Sequence, residues 1–214
     1  NWRLSQKRFG NLSAVTDLAK SNKYQLLFLT LTARNVAGDD LHNEIKRYFN
    51  AWRNLTRYSE DFNKAVHGWF RALEVTYNKN DDNYHPHLHI VLVVKSTYFN
   101  ANYYINQKKW AEIWQHYLAV DYVPIVHIQK VYTKKGSSAE SEASKYTVKD
   151  TDYLIENDLT LSSKVVQVLD DSLRRVRLIA YGGTLKKYYQ ELQLNEEKLT
   201  DDLENITEDI AYII

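Results

Sequence analysis

The chain has 214 residues, 44% of them hydrophobic, and is therefore long enough to bury the core of one domain, with or without an appendage. It contains no cysteine, which excludes disulfide bonds and thiolate metal sites within these residues, and its apolar run at residues 90–94 is far too short to span a membrane. The formal net charge of +1 divides into +7 on residues 1–194 and −6 on residues 195–214, where seven acidic residues accompany one lysine.

The pattern of apolar and polar residues predicts an α+β fold with a central antiparallel β-sheet of about five strands flanked by helices. In chain order we expect a strand at 24–32, a helix at 39–58 behind an aspartate cap, and strands at 68–77 and 85–93 joined by a turn at 78–83. A helix at 107–118 and a strand at 123–132 follow, and then three helices at 139–146, 162–182 and 196–213.

The third predicted strand carries a pair of histidines on one face. Side chains alternate along a strand, so His87 and His89 point one way while Leu88 and Ile90 point the other. Two imidazoles rooted in a strand with an apolar reverse side form a rigid half of a metal site. Histidine pairs at this spacing also arise by chance or as core residues. Pro86 is expected to mark the beginning of this strand.

The neighbouring strand supplies a carboxylate. Glu74 stands alone in a largely apolar stretch, and a buried unpaired carboxylate is costly, so we expect a cation beside it. Arg71 lies on the opposite face by strand parity, which favours a metal ion; an ion pair with a lysine is the alternative. Glu74, His87 and His89 suit Mg²⁺ or Mn²⁺ when phosphate oxygens complete the shell, and would also accept Zn²⁺, Co²⁺ or Fe²⁺. An oxygenase-type facial triad of the same ligands is the rival interpretation.

Four short motifs occur in order: FLTLT at 28–32, FRALEVT at 70–76, HLH at 87–89 and EASKY at 142–146. This combination resembles the motifs of the rolling-circle plasmid replication initiators of Gram-positive bacteria. They are a branch of the HUH endonucleases with one catalytic tyrosine and a glutamate for termination. The resemblance covers roughly residues 1–194, which we expect to form a nicking and origin-binding domain with the HUH endonuclease fold.

The two ends of the chain carry separate expectations. Residues 195–214 are expected to form an acidic helical tail; the basic body is typical of a protein that meets polyanions, although a solvated amphipathic helix explains the tail equally well. Methionine is absent, including an initiator. Family members usually begin with a cysteine-containing segment that runs into a stretch like Trp2-Arg3, so we expect that a metal-binding N-terminal piece was removed.

The resemblance implies a DNA nicking endonuclease that acts on single-stranded or hairpin DNA at a plasmid origin. Tyr146 would attack the phosphodiester, become linked to the 5′-phosphate and leave a 3′-OH primer. Because a phenol with a pKa near 10 is a poor nucleophile, a Mn or Mg ion held by Glu74, His87 and His89 would assist it. Glu142, one helical turn before Tyr146, would take the phenolic proton or activate a water that ends the cycle.

Further roles for individual residues, partners and two alternative functions complete the expectations from the sequence. His85 shares a face with His87 and His89 by strand parity and could be a fourth ligand, although the resemblance favours a role supporting the metal ligands or contacting DNA. Lys145 and Lys149 would contact DNA or the phosphate. We expect a cytoplasmic protein with a host helicase and polymerase as partners and no membrane; a homodimer is an open alternative. A relaxase or transposase of the same superfamily, or a non-catalytic origin-binding module that stacks bases on exposed aromatic residues, would also fit. Glu74 in place of a third histidine argues for the replication branch.

Overall fold

The computed structural model describes residue 19, residues 21–131 and residues 158–193. These residues form five strands, namely β1 (Tyr24–Leu31), β2 (Val66–Asn78), β3 (Asn83–Lys95), β4 (Val126–Lys130) and β5 (Ile179–Gly182). The helices are α1 (Gly38–Tyr58), α2 (Glu60–Ala65), α3 (Gln107–Leu118), α4 (Leu159–Leu173) and α5 (residues 183–193), with a 3₁₀ turn at Tyr98–Asn100.

The five strands form one antiparallel sheet in the order β4-β1-β3-β2-β5. The hairpin of β2 and β3 lies in the middle, and its four-residue turn pairs Asn78 with Asn83. The predicted α+β fold with a central antiparallel sheet and flanking helices is confirmed.

Helices cover the first face of the sheet. The inward side chains of β1 are Leu27, Leu29 and Leu31, and they pack in the main core with leucines and valines of β2 and β3 and with side chains of α1, α3 and α4. Each buried leucine of this kind contributes about 1.5–3 kcal/mol. Trp114 of α3 also donates its indole N–H to the carbonyl oxygen of Thr32, at 2.8 Å, which ties the helix to the end of β1.

The second face carries a smaller apolar cluster at one end only. Its buried members are Ala19, Leu26, Phe70, Ala72, Val91, Val93 and Leu185, the last from α5. Beyond Ala72 and Val91 the same face turns polar, because alternation then places glutamate, threonine and histidine where the cluster had apolar side chains. The candidate site lies on this polar part of the second face.

Several predicted ends and caps of elements differ from the structure. The N-cap of the first long helix is Ala37 and not an aspartate, and Ala37 makes no side-chain cap hydrogen bond. Asp39 and Asp40 lie in the first turn, where their negative charge interacts favourably with the helix dipole. The predicted helix 162–182 is α4 followed by β5. Arg175 has a φ of 60° just after α4, which ends the helix. The short, largely apolar segment 176–182 is compatible with a strand beside β2 as well as with a helix.

Pro86 does not begin its strand, because β3 starts at Asn83 and pairs Pro86 with Val75. Tyr84 exchanges backbone hydrogen bonds with Val36 on the outer side of β3. The nitrogen of Pro86, two residues further, points to the same side of β3, where β1 lies. Because β1 ends at Leu31, opposite Leu88, no strand lies across from Pro86 there, and its missing N–H costs no hydrogen bond between strands. The strand predicted at 123–132 is confirmed at Val126–Lys130, as β4; residues 123–125 and 131 lie outside it, and residue 132 lies outside the described residues.

The predicted helices at 139–146 and 196–213, and the predicted domain boundary at 194/195, lie outside the described residues. Within the described residues, no helix combines the length and apolar character that crossing a membrane requires.

Candidate active site

The register of the β2–β3 hairpin brings Glu74, His87 and His89 together on the second face. Glu74 lies directly across from His87, and His89 lies across from Ala72, so Glu74 and His89 are diagonal neighbours. Diagonal positions are about 7–8 Å apart, a gap that a glutamate and an imidazole can close. The structure therefore places the three predicted residues side by side.

His89 is held at both ring nitrogens. Its Nε2 lies 2.6 Å from Oε2 of Glu74, and the side chains of His89 and Glu74 are only 14% and 26% exposed. Its Nδ1 lies 3.3 Å from the hydroxyl of Thr30, which is directly opposite in β1. The ring also stacks on Phe28, with centroids 5.7 Å apart and planes 11° from parallel. These contacts determine both the position and the orientation of the imidazole.

His87 is a neutral imidazole at pH 7. Burial, together with the nearby His85 and His89 rings, lowers its pKa to about 4, although the Glu74 carboxylate opposes the shift. Its Nε2 lies 3.3 Å from the hydroxyl of Thr76, and its ring is parallel to that of His89, with 5.8 Å between centroids. A neutral ring keeps a lone pair that can accept a proton or bind a cation.

His85 contacts His87 and lies across from Thr76, outside the Glu74 pair. The centroids of the two histidine rings are 4.2 Å apart. Burial lowers the pKa of His85, while a hydrogen bond with the backbone of Ala33 acts against that shift. Its Nε2 atom is buried and has no hydrogen-bond partner in the structure. Its predicted supporting or DNA-contacting role stays a prediction.

Arg71 lies on the opposite face of β2 from Glu74, as strand parity predicts. Its guanidinium carbon sits 3.8 Å from the centroid of the Phe49 ring, and its Nη2 donates to the carbonyl oxygen of Arg177 at 3.2 Å. Burial, with a smaller effect of the Arg177 charge, lowers the pKa of Arg71 to about 10. Arg71 is therefore a buried cation whose contacts lie on the first face, away from Glu74.

The donor set of Glu74, His87 and His89 fits a divalent cation in its chemistry: one carboxylate, one neutral imidazole and one oriented imidazole. In the part of the chain that the structure describes, no group of three or more His, Asp or Glu side chains is arranged to hold a metal ion. Glu74 Oε2 and His89 Nε2 face each other directly, and His87 Nε2 is directed to Thr76. A cation would require these donor atoms to turn toward a common point.

The remaining predicted site residues, Tyr146, Glu142, Lys145 and Lys149, lie outside the described residues, so their roles stay predictions. Sequence reasoning missed the hydroxyls of Thr30 and Thr76. The signal for Thr76 was present, since it shares a face with Glu74 two residues earlier. Thr30 could be assigned only with the register of β1 against β3.

Comparison with known proteins places these residues in a wider context. A family model described as replication protein matches residues 1–212. A "Protein rep" of Lactiplantibacillus plantarum is 38% identical over 206 residues, which cover 92% of this chain and 64% of that protein. A "Protein rep" of Bacillus amyloliquefaciens is 38% identical over 213 residues, covering 91% and 62%. A "Replication protein" of Staphylococcus aureus is 37% identical over 200 residues, covering 88% and 84%.

The chain thus spans less than two thirds of the length of the first two relatives. A comparison with solved structures finds no match.

Proposed function

The chain belongs to the replication protein family, and from that membership we propose that it is a plasmid replication initiator that nicks one DNA strand at an origin in a metal-dependent reaction. The observation that carries the proposal is the juxtaposition of Glu74, His87 and His89 on one face of the central sheet. The family supports the replication role, and the donor chemistry of these side chains supports the metal.

Glu74, His87 and His89 would hold the cation. The low pKa of His87 keeps its lone pair free at neutral pH. A proton on Nδ1 of His89, donated to the Thr30 hydroxyl, would leave Nε2 for the cation, which is how hydrogen bonds to the far nitrogen orient imidazole ligands. A divalent cation bound here would polarise the scissile phosphate and orient it for attack.

Tyr146 would supply the nucleophile, as the resemblance to rolling-circle initiators implies. A bond forms between its phenolic oxygen and phosphorus, and the bond from phosphorus to the 3′ oxygen breaks. The phenolic proton passes to a base, for which Glu142 is our candidate, and a proton from that base or from water goes to the leaving 3′ oxygen, which becomes the 3′-OH. The phosphodiester energy stays in the tyrosine–DNA bond, so strand rejoining needs no ATP. Glu142 would later activate the water that ends the cycle.

The test uses the full chain, a set of 3′-labelled single-stranded oligonucleotides that tiles the plasmid origin, and Mn²⁺, because the adduct through the 5′-phosphate keeps the 3′ end of the strand. We expect a protein–DNA adduct that survives SDS, that disappears in EDTA, and that falls at least about 100-fold in His87→Ala or His89→Ala. His116→Ala is the matched control, because His116 is exposed on α3, away from the second face. Full activity in EDTA would contradict the metal mechanism. Origin binding without any adduct would favour a non-catalytic origin-binding module.

A further inference from the structure

A second feature of the chain is a cavity of about 490 Å³ beside β5, the edge strand of the described sheet. This volume is in the range of pockets that bind small molecules. The polar and aromatic side chains among its described lining residues are Arg177, Tyr181, Lys186, Tyr189, Gln190 and Gln193. No acidic side chain is among the described residues that line it.

Helix α5 presents one stripe to this cavity and another to the sheet. Lys186, Tyr189, Gln190 and Gln193 follow the spacing i, i+3, i+4, i+7, so they share one side of the helix. The adjacent stripe of Leu185, Tyr188 and Leu192 packs in the apolar cluster of the second face. The apolar stripe anchors α5. Tyr189 packs partly against the same cluster and partly lines the cavity, and the polar side chains of its stripe are left to the cavity.

The wall of the cavity contains an aromatic pair. The rings of Tyr181 and Tyr189 stack with centroids 4.5 Å apart and planes 10° from parallel. Gln193 donates its amide N–H to the hydroxyl of Tyr189 at 2.8 Å, which holds that ring. Arg177 and Lys186 are exposed at the same cavity. Aromatic ring faces beside cations are the combination that proteins use to stack the bases and bind the phosphates of single-stranded nucleic acid.

The cavity and the candidate active site are on the same face of the sheet. Ile179 and Tyr181, which line the cavity, also pack in the apolar cluster of the second face. Ile179 lies across from Ala72, and Ala72 lies across from His89. Two strand spacings separate Ile179 from His89, which is about 10 Å. A few linked nucleotides can cross that distance.

We propose that this cavity binds a nucleotide of the single DNA strand that runs from the candidate active site, with the base stacked on Tyr189 and its phosphate held by Lys186 and Arg177. The proposal rests on the proposed function, because the nicked strand is the ligand. It adds a site for the strand's neighbouring nucleotides that is separate from the metal ligands.

The first test measures DNA binding without nicking. In EDTA, and in a Tyr146→Phe background, Lys186→Ala should weaken binding to a single-stranded oligonucleotide about 3- to 10-fold and lower the slope of log affinity against log salt by about 1. Lys187→Ala is the matched control: it makes the same charge change on the next residue of α5, which is exposed and does not line the cavity. We expect it to leave both quantities unchanged. Equal losses for the two lysines would overturn the proposal.

The second test locates the base. A photoreactive 5-iodouracil is placed at one position at a time along the oligonucleotide, and the crosslinked peptides are identified by mass spectrometry. We expect crosslinks to Tyr189 from positions a few nucleotides from the nick. Crosslinks confined to other surfaces, such as the exposed ring of Phe99, would overturn the proposal.

The two proposals fail in different ways. Metal-dependent nicking with no effect of Lys186→Ala on binding would overturn the cavity and leave the proposed function standing. The opposite outcome is that Lys186→Ala binds DNA more weakly but the unaltered chain does not nick DNA. That outcome would support DNA binding in the cavity and contradict the proposed function.

Discussion

Acidification should destabilise the metal-free chain through His87. The pKa of this imidazole is about 4 in the folded chain, mainly because of burial, against an ordinary value of 6.5. Between pH 6.5 and 4 the unfolded chain therefore binds a proton that the folded chain does not, and lowering the pH favours unfolding. The stabilisation is intact above pH 6.5 and is lost progressively as the pH falls toward 4.

The magnitude follows from the two pKa values. The difference between the two pKa values corresponds to about 3 kcal/mol. Between pH 7 and pH 5 the linkage amounts to about 2 kcal/mol, and this is an upper bound because the side chain is partly exposed to water.

The assay is urea unfolding in EDTA at pH 7 and pH 5 for the unaltered chain and for His87→Gln. Other groups titrate over this range, so the informative quantity is the difference between the two proteins in their loss of unfolding free energy. The unaltered chain should lose about 1–2 kcal/mol more than His87→Gln. His116→Gln, which alters an exposed histidine of α3, should lose as much as the unaltered chain. An equal loss in all three proteins would show that His87 does not cause the loss of stability at low pH.

Further predictions concern the backbone of Gly183, the contact of Thr30 with His89, and the chemistry of Tyr146 and Glu142. Gly183→Ala should cost about 2 kcal/mol or more in urea unfolding, because the φ of Gly183 is +56° and an added Cβ would lie 2.3 Å from a carbonyl oxygen of β2. Thr30→Val removes the hydroxyl beside His89 Nδ1 and should weaken Mn²⁺ binding in calorimetry about 10-fold; unchanged affinity would remove the positioning role. Tyr146→Phe should abolish the SDS-resistant adduct while folding and DNA binding persist, and an adduct in that variant would mean another tyrosine attacks. Glu142→Ala should still nick but yield over-length single-stranded products, and Glu142→Tyr should restore termination by a second strand transfer.

The site could be predicted to the extent that it depends on one hairpin. A strand repeats every two residues, so spacing alone predicts His87 and His89 on one face, while Glu74 is assigned to them because a lone carboxylate in an apolar strand needs a cation. The short turn between β2 and β3 sets the register that places all three together. The opposite orientation of Arg71 follows from the same parity, and the structure confirms it.

Features that depend on distant pairing could not be predicted. Thr30 meets His89 only because β1 pairs with β3 in one register, across 59 residues of sequence. The strand β5 was predicted as helix because a four-residue apolar segment fits either state until its pairing with β2 is known. The cavity beside β5 depends on that strand and on α5, so no pattern in the sequence indicated it.

Metal binding itself is measured by calorimetric titration of Mn²⁺ into the full chain at pH 7. The chain is first stripped of metal with EDTA, and the EDTA is then removed. We expect one Mn²⁺ site whose affinity falls at least about 10-fold in each of Glu74→Gln, His87→Gln and His89→Gln. In His116→Gln the affinity should be unchanged. A chain that binds no Mn²⁺, or that binds it equally well without these side chains, would contradict the claim that Glu74, His87 and His89 form a metal site.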